Sequence, residues 1–433
     1  MKESQQLDDQ NQPAVFLCAT LWWPTSARLA MAFLNSGCRV SGICPSGHPL
    51  RVVDGVDSIY PYRASNSIGS LRAALRAAKP DLIVPCDDGA VWQLHALHAA
   101  EPEFRALIER SLGTGEAYAT LDSRILTLQV ASELGIRVPP SQAITSLSEL
   151  SAPDLEWPAV LKIDGTWGGD GVVQVDSPSH AIEVLPTLFG ARRTAIALKQ
   201  FLVNRHPVAL WLWRRRHGSV ATLQKFIRGR QATTMFACWQ GEVLATVVLG
   251  VCATLGPAGA ATILQLERND EIELASRRLA RRLNLSGFHG LDFILEEGTE
   301  IPYLIEMNPR ATQLGHLNMS AKGNLADALA AKLTNRTLSA AANRRRVQSD
   351  TIALFPHAWK TDPGNEALST GFHDVPWDQP RLVEELLKKP WPERRLLNRI
   401  FNGLRILTAG NQKQWAPQSN EEHRSADQLK QSL

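Results

Sequence analysis

Three side chains that could supply oxygen ligands lie close to residue 300. A β-type run at residues 290–295 is followed by a polar turn and by a second run at residues 303–307, an order typical of a β-hairpin. Folding the two runs together places Asp292 opposite Glu306. Because side chains alternate faces along a strand, Asn308 lies on the same face as Glu306. The spacing therefore gathers two carboxylates and an amide at one edge.

This hairpin face has the composition of a cation site. Two carboxylates directly opposite each other repel and destabilise a bare sheet, unless a cation lies between them. Oxygen-only ligands suit Mg²⁺, with Mn²⁺ as a substitute, held by one or two carboxylates and by the phosphates of a substrate. Arg310 follows on the same edge and favours this interpretation over a solvated face with two unrelated acids. We expect the opposite face to join the core through Leu291, Phe293, Leu295, Ile305 and Met307.

A second candidate site is a glycine-rich loop between two strand-like runs. The first run, at residues 159–163, carries Lys162, and the second follows the loop directly. The loop does not end in a Gly-Lys-Ser or Gly-Lys-Thr triplet and no helix follows, so it is not a Walker A loop. Its backbone N–H groups could fold over phosphates, and Lys162 could supply a point charge. A surface hairpin with glycines for turn geometry is the alternative. The loop glycines are Gly165, Gly168, Gly169 and Gly171.

Composition limits the class of protein. A chain of 433 residues has room for about three domains, and its 44% hydrophobic and 21% charged content is typical of a globular protein. A net charge of +3 is too small to indicate nucleic acid or an anionic membrane as a partner. The six cysteines form no Cys-x-x-Cys pair and the N-terminus is polar. We therefore expect a cytoplasmic protein with reduced thiols and no signal peptide.

The first hundred residues alternate buried strand-like runs with helical patterns. This order predicts a parallel sheet with helices on its faces. The first strand-to-helix turn lacks the G-x-G-x-x-G pattern, so neither NAD nor FAD is predicted. We expect strands at residues 14–20, 39–44 and 81–85, with helices at residues 26–35 and 71–78.

The rest of the chain divides by composition. An uncharged stretch at residues 243–265 is long enough to span a bilayer, but its glycines and proline indicate two buried strands around a loop. Tryptophans and prolines become frequent after residue 340, and the end is polar. We expect a disordered tail at 1–12, an α/β domain at 13–115, a second domain at 116–340, and a C-terminal extension with a frayed tail at 341–433.

Together the glycine loop and the hairpin resemble the ATP-grasp family, which includes biotin carboxylase, the large subunit of carbamoyl phosphate synthase and the L-amino acid ligases. The resemblance covers roughly residues 14–335 by motif order, and it includes segments at 121–140 and 223–229. It implies an α/β fold in which a Rossmann-like pre-ATP-grasp domain precedes a two-subdomain α+β ATP-grasp fold. A C-terminal extension then follows.

The resemblance also assigns roles to residues. It implies that Arg310 is catalytic, stabilising the transferring phosphoryl group and the tetrahedral intermediate. Arg124 stands where the family usually has lysine; it keeps the charge but is larger and planar. The implied ATP-binding residues are Arg124, Lys162, Gly168, Gly169 and Gly171, with the backbone of Lys225 and Ile227 at the adenine edge. The implied metal ligands are Asp292, Glu306 and Asn308.

The implied activity is an ATP-dependent ligase. Such an enzyme uses Mg²⁺-ATP to form an acyl-phosphate from a small carboxylate, which an amine or a thiol then attacks. A biotin carboxylase-like or carbamoyl-phosphate-type enzyme is one alternative, and an ATP-binding sensor or scaffold with a degenerate site is another. Arg124 and Asp164, an acid at the start of the glycine loop, favour the sensor. Neither nucleic acid nor a membrane is expected as a partner, and a homodimer is left open.

Two smaller groups of residues have two interpretations each. Asp87 and Asp88 follow a buried run, where they could bind a ligand, but capping of the next helix explains both acids more simply. His289 and His316 flank the metal hairpin and could bind substrate or act as a base. A histidine with a purely structural hydrogen bond is more common, and we expect that for both.

Overall fold

The computed structural model describes residues 12–150, 154–163, 171–189, 221–256, 259–319, 323–335, 346–390 and 394. The predicted N-terminal tail, most of the glycine loop with Gly168 and Gly169, and the predicted frayed end therefore lie outside the described residues. The described residues form three β-sheets with flanking helices.

The first sheet is parallel, as predicted. Its four strands have the order β3-β2-β1-β4, and every neighbouring pair in it is parallel. Helices connect the strands, because parallel neighbours need a crossover. Asp87 begins the helix after β4 by accepting a hydrogen bond from Ala90 N at 2.9 Å, so the capping interpretation is confirmed for Asp87. The elements are β1 (Ala14–Cys18), α1 (Thr25–Asn35), β2 (Arg39–Cys44), β3 (Ser58–Pro61), α2 (Ser67–Ala78), β4 (Leu82–Pro85), α3 (Asp88–Ala100) and α4 (Pro102–Leu112).

The second sheet is small and carries Lys162. Its order is β5-β8-β6-β7, with antiparallel neighbours throughout. The predicted hairpin at the glycine loop is confirmed by the pairing of β6 with β7, and Ile163 N donates to Gly171 O at 3.1 Å where the loop closes. The elements are α5 (Tyr118–Leu121), α6 (Arg124–Glu133), β5 (Ser141–Ile144), β6 (Ala159–Ile163), β7 (Val172–Val175), α7 (Pro178–Phe189) and β8 (Ala221–Lys225).

The third sheet has seven strands in the order β13-β12-β9-β10-β11-β14-β15. The stretch at 243–265 lies in two of them, β10 and β11, as predicted. No helix among the described residues is long and apolar enough to cross a membrane. The elements are β9 (Gly229–Trp239), β10 (Glu242–Thr254), β11 (Ala261–Leu266), α8 (Asp270–Arg282), β12 (Gly287–Glu296), β13 (Pro302–Asn308), α9 (Leu325–Thr334), β14 (Thr351–Ala353), α10 (His357–Thr361), α11 (Ala367–Thr370), β15 (Phe372–His373) and α12 (Pro380–Leu387).

The C-terminal region contributes to this sheet. β14 pairs with β11 and β15 pairs with β14, so two strands beyond residue 340 extend the sheet of the preceding domain. Strand pairs therefore join the segments on the two sides of residue 340. The domain boundary at residue 340 remains a prediction from composition. Sequence alone gave no signal for strands of three and two residues.

The seven-stranded sheet is buried on both faces near its centre. In β9, Met235 and Ala237 belong to one apolar cluster, whereas Phe236 and Cys238 belong to the other. Both clusters also contain side chains of β1 and β4, so the parallel sheet shares its core with this sheet. The carboxyl ends of β1 and β4 are thereby fixed near β13.

One predicted core residue in the hairpin is wrong. A β-bulge between the Asp292–Glu306 and Phe293–Leu304 pairs skips Ile305, so Leu304 takes the fully buried position. Ile305 is only partly buried, whereas Leu291, Phe293 and Leu295 are buried as predicted. Met307, the fifth predicted core residue, is partly buried and packs against the core. The extra residue of a bulge is left unpaired in the ladder, which frees its carbonyl for a side chain.

Candidate functional site

The predicted carboxylate pair forms at the end of the hairpin. Asp292 and Glu306 are direct cross-strand partners, and Gly290 lies opposite Asn308. The same face therefore carries all three oxygen-bearing side chains, as the alternation of the two strands requires. Their registry confirms the predicted pairing; their role as metal ligands remains a proposal.

Asp292 is held by neutral donors. Thr233 Oγ1 on β9 donates to one carboxylate oxygen at 2.8 Å, and Asn308 Nδ2 donates to the other at 2.8 Å. Burial, reinforced by the charge of Glu306, raises the pKa of Asp292 to about 6. A carboxyl group with this pKa gains most from a nearby cation, because a cation favours its charged form.

Glu306 is surrounded by cations. Arg124 Nη2 donates to Glu306 Oε1 at 2.9 Å, across a separation of 182 residues. Burial raises the pKa of Glu306, but the charges of Arg124 and Lys162 outweigh it and leave the pKa below its usual value. The carboxylate is therefore ionised at neutral pH, while its side chain keeps 34% exposure towards the site.

Arg124 reaches Glu306 because of the helix that carries it. Ser123 caps α6 by accepting a hydrogen bond from Leu126 N at 3.4 Å, so Arg124 is the first residue of the helix. α6 packs against β13, and Leu304 N donates to Arg137 O at 2.8 Å just beyond the helix. These contacts fix the guanidinium beside the carboxylate, with only 10% of its side chain exposed.

Lys162 approaches the same strand from the small sheet. Its Nζ donates to Gln224 Oε1 at 2.8 Å and to the carbonyl of Ile305 at 3.4 Å, the carbonyl freed by the bulge. Burial lowers the pKa of Lys162 to about 8, and the negative charge of Glu306 only partly opposes that effect. A buried ammonium of this kind becomes more favourable when an anion approaches it.

Arg310 connects the hairpin to the parallel sheet. Its Nε donates to Asp88 Oδ1 at 2.9 Å and its Nη2 donates to Asn308 Oδ1 at 3.2 Å. The next residue, Ala311, donates its N–H to Pro85 O at the end of β4. Asp88 thus has a partner in the candidate site, a contact that the capping interpretation of the acidic pair did not include.

The predicted adenine-binding and loop residues lie at the ends of small-sheet strands. Lys225 is the last residue of β8, and its N–H donates to Pro140 O at 2.8 Å. The predicted contact with the adenine edge would therefore use the backbone carbonyl of Lys225. Ile227 follows in the connection to β9. Gly171 has a φ of +82°, a left-handed conformation that glycine adopts without strain, at the base of the glycine loop.

Sequence reasoning missed the residues that support these side chains. Gln224 holds Lys162, and Thr233 holds Asp292, from strands that are far away in sequence. A Cβ at Gly290 would lie 2.5 Å from Thr312 Cγ2, so this glycine allows the segment after Arg310 to cover the hairpin. Only Gly290 had a signal in the sequence, since a glycine within a strand often marks a close approach.

The donor set fits a hard divalent cation bound together with phosphates. Two carboxylates face each other, and the side-chain amide of Asn308 lies beside them, with its nitrogen on Asp292 and its oxygen on Arg310. Among the described residues, no group of three or more His, Cys, Asp or Glu side chains could hold a metal by itself. Such a sparse oxygen set suits Mg²⁺, which keeps several waters and substrate oxygens.

Comparison with known proteins agrees with this geometry. A family model described as the ATP-grasp domain matches residues 211–313, a segment that contains β8, the carboxylate hairpin and Arg310. Over these residues the chain is similar to an ATP-grasp domain. The family resemblance and the α/β fold class predicted from the sequence are thereby confirmed. No curated protein matches the sequence.

Solved structures with the same ATP-grasp fold are distant in sequence. N5-carboxyaminoimidazole synthetase from Staphylococcus aureus, complexed with ADP, is 14% identical with a TM-score of 0.55, covering 76% of this chain and 78% of its own. L-amino acid ligase from Bacillus licheniformis is 15% identical, with a TM-score of 0.51 and coverage of 75% and 74%. The biotin carboxylase domain of Hydrogenobacter thermophilus 2-oxoglutarate carboxylase, with MgADP and bicarbonate, is 14% identical, with a TM-score of 0.54 and coverage of 77% and 70%.

Proposed function

We propose that this protein is an ATP-dependent ligase that joins a small carboxylate to an amine, or to a thiol, through an acyl-phosphate. The observation that carries the proposal is the charged cluster at the end of β13. Two opposed carboxylates, Asp292 and Glu306, lie among the cations Arg124 and Lys162, and Arg310 contacts the neighbouring Asn308. Both signs of charge are needed at a site that binds a polyphosphate together with a divalent cation.

Asp292, Glu306 and Asn308 are the side chains that would hold Mg²⁺. When bound, Mg²⁺ supplies positive charge to the phosphate oxygens of ATP and to the oxygens of the transferring group. Asp292, whose pKa burial raises to about 6, is the ligand that such a charge would stabilise most.

The cations of the chain would act on the phosphates directly. Lys162, which is 5% exposed, would exchange its contact with the Ile305 carbonyl for a phosphate oxygen. Arg124 would contact the phosphates while it keeps Glu306 ionised. A carboxylate oxygen of the substrate then attacks the γ-phosphorus, and ADP leaves with the bonding electrons. Arg310 would stabilise the negative charge on the transferred phosphoryl group. Exclusion of water from the site would protect the acyl-phosphate from hydrolysis.

The solved structures support the nucleotide part of the proposal. The Staphylococcus aureus synthetase was solved with ADP, and the biotin carboxylase domain with MgADP. The names of the synthetase and of the L-amino acid ligase denote enzymes that join two molecules. For this chain we propose the C–N ligase class on the strength of the fold and of its own charged cluster.

A product analysis tests the function. The protein is incubated with Mg²⁺-ATP and pools of amino acids and other small carboxylates, and nucleotide products are separated. We expect ADP and phosphate, released only when both a carboxylate and an amine are present. AMP and pyrophosphate would indicate adenylation instead, and tight ATP binding with no stimulated ADP release would leave a sensor.

A further inference from the structure

A small cleft lies between the parallel sheet and the C-terminal strands. It opens to solvent and has room for about one water-sized group. Three parts of the chain line it: the start of α1, the turn after Arg310, and the segment that carries β14, α10 and β15. The polar lining residues are Arg28, Gln313, His316, His357 and Asp374.

The cleft contains a histidine oriented by a carboxylate. His316 Nε2 lies 2.7 Å from Asp374 Oδ2, and the two side chains are only 6% and 4% exposed. Arg28 donates to the other carboxylate oxygen. Burial raises the pKa of Asp374, but Arg28 and His316 outweigh it and hold this pKa well below its usual value. An ionised carboxylate only accepts hydrogen bonds, so Nε2 carries the hydrogen in this pair.

The second ring nitrogen of His316 is left for a ligand. In a neutral ring whose Nε2 is protonated, Nδ1 is an acceptor with a free lone pair. This atom is buried and has no hydrogen-bond partner among the described residues. Arg28 Nε and His357 Nε2, on two other walls of the cleft, are also buried without a partner there. Three unsatisfied nitrogens in one cleft indicate a polar occupant, because unpaired buried polar groups are costly.

A short segment of the chain connects the cleft to the predicted phosphoryl-transfer residue, Arg310. His316 follows Arg310 by six positions, and the connecting segment is fixed to the end of β4 through Ala311. Pro24 and Thr25, which also line the cleft, follow β1 at the same edge of the parallel sheet. The carboxyl edge of a parallel sheet is where small ligands bind in α/β folds.

We propose that this cleft receives the ammonium group of the ligase's amine substrate, and that His316, oriented by Asp374, is the general base that activates it. This inference rests on the proposed ligase function. The arrangement resembles other histidines whose second nitrogen is fixed by a carboxylate and whose first nitrogen removes a proton.

The proposed step balances in atoms and charge. The substrate enters as an ammonium ion, and His316 Nδ1 removes one proton to give the free amine. The amine nitrogen attacks the acyl carbon, so that a C–N bond forms, the C–O bond to phosphate breaks, and phosphate leaves with the electron pair. Of the two protons that the nitrogen loses, one is retained on HPO₄²⁻ and one is released from His316 to water.

The other histidine near the hairpin lacks these features. His289 is 1% exposed, its Nε2 lies 2.9 Å from Ser286 O, and its ring stacks on Phe236. Burial lowers the pKa of His289 to about 4. His289 therefore has only structural contacts, as expected. His316 differs because a carboxylate contacts one of its ring nitrogens and the other faces the cleft.

Hydroxylamine separates the two half-reactions. It is uncharged at neutral pH, needs no base, and converts an acyl-phosphate into a hydroxamate that is detected with iron(III). The wild type and His316→Gln are supplied with Mg²⁺-ATP, the pooled amino acids as carboxylates, and either hydroxylamine or the same amino acids as amines. The control is His180→Gln, which changes an exposed histidine whose Nδ1 lies 4.0 Å from Asp176.

We expect His316→Gln to form hydroxamate as the wild type does and to lose amine ligation by roughly 10²- to 10⁴-fold, the usual contribution of a general base. The control should retain both reactions. Equal rates of amine ligation in His316→Gln and the wild type would contradict the role of His316 as general base. Parallel loss of both reactions in a folded His316→Gln would instead assign His316 to the first half-reaction. A wild type that forms neither product contradicts the proposed function itself.

A second measurement needs no substrate. In the protein with ¹⁵N-labelled histidine, ring-nitrogen shifts of His316, assigned by comparison with His316→Gln, should show a protonated Nε2 and an unprotonated Nδ1 at mildly alkaline pH. A protonated Nδ1 under those conditions would exclude the base role, whatever the substrate. Binding of glycine, used as a probe amine, should shift Nδ1 more than Nε2, and a larger shift of Nε2 would contradict the placement of the amine.

Discussion

Two buried aspartates show how differently the same side chain is treated in two parts of this protein. Asp292 faces Glu306, and among the described residues it accepts hydrogen bonds from the neutral side chains of Thr233 and Asn308; burial raises its pKa to about 6. Asp374 is also buried, but Arg28 and His316 hold its pKa well below the usual range. Within the described part of the chain, the first aspartate has no ion pair, whereas the second is paired with Arg28.

We infer that this difference separates a carboxyl group that awaits a cation from one that the chain already pairs. A carboxyl group with a raised pKa is stabilised when a cation arrives, which supports the proposed role of Asp292 in a binding site. A carboxylate with a depressed pKa is already stabilised, so Asp374 orients its neighbours and contributes to the folded state. The comparison predicts opposite consequences for substitutions in the two clusters.

Asp374→Asn should have the largest effect on stability. It leaves Arg28 and His316 buried without their carboxylate, and breaking a buried pair in this way costs about 3–5 kcal/mol of unfolding free energy. Chemical denaturation at neutral pH measures the loss. Asp57→Asn is the control, because Asp57 forms an exposed ion pair with Arg39 at 3.7 Å, and such pairs contribute little.

The pH dependence gives the sign of the Asp374 contribution. Its folded pKa lies below the unfolded value of about 4, so its contribution is present above that value and is lost as pH falls through the folded pKa. The wild type should therefore lose more stability below about pH 4 than Asp374→Asn does. If the wild type and Asp374→Asn lost stability equally on acidification, Asp374 would not stabilise the folded state through Arg28 and His316.

Glu306→Gln should have the largest effect on turnover. Removal of a metal ligand at the reacting phosphates should lower ADP release by about 10²- to 10³-fold, the range known for electrostatic groups in active sites. The folded state should lose some stability, because Arg124 and Lys162 lose the carboxylate whose pKa they lower, and relief of the repulsion with Asp292 offsets only part of that loss. Glu297→Gln, at an exposed pair with Arg228, is the control. Unchanged turnover with a lower melting temperature would make the hairpin purely structural.

Lys162→Ala and Arg124→Ala should weaken nucleotide binding. Each removes a cation that faces β13, and loss of a charged hydrogen bond costs about 1–3 kcal/mol. Lys162→Ala should cost at least as much as Arg124→Ala, whereas Arg124→Lys should retain binding. Titration calorimetry with Mg²⁺-ATP measures all three, with Lys332→Ala, at an exposed pair with Glu242, as control. If Arg124→Ala bound Mg²⁺-ATP with wild-type affinity, Arg124 would not contact the nucleotide and would only begin helix α6.

Gly290→Ala should have the smallest effect of this series. The new Cβ would lie 2.5 Å from Thr312 Cγ2, so the segment after Arg310 must shift, at a cost of about 1 kcal/mol or more. We expect a reduced rate of ADP release with a retained fold. Gly364→Ala is the matched control, because the nearest atom to its Cβ would be 3.7 Å away. Equal rates in both variants would show that this close approach has no role in catalysis.

Much of the fold could be predicted because its signals are local. The alternation of strands and helices in the first hundred residues and the register of the hairpin each depend on neighbouring residues. The bulge at Ile305 escaped prediction because the two strands show no break in their alternation. It lies in the edge strand β13, which packs against α6. The strands β14 and β15 escaped because they are too short to show a period.

The sequence by itself determined which side chains share one face of the hairpin, since two strands and one turn bring Asp292, Glu306 and Asn308 together. Only the tertiary structure decided what surrounds it. Arg124 reaches Glu306 across 182 residues, and Arg28 reaches Asp374 across 346. Backbone periodicity carries information within an element or a hairpin, whereas contacts at these separations arise when whole sheets bury their apolar faces together. The contact between His316 and Asp374 is of this kind.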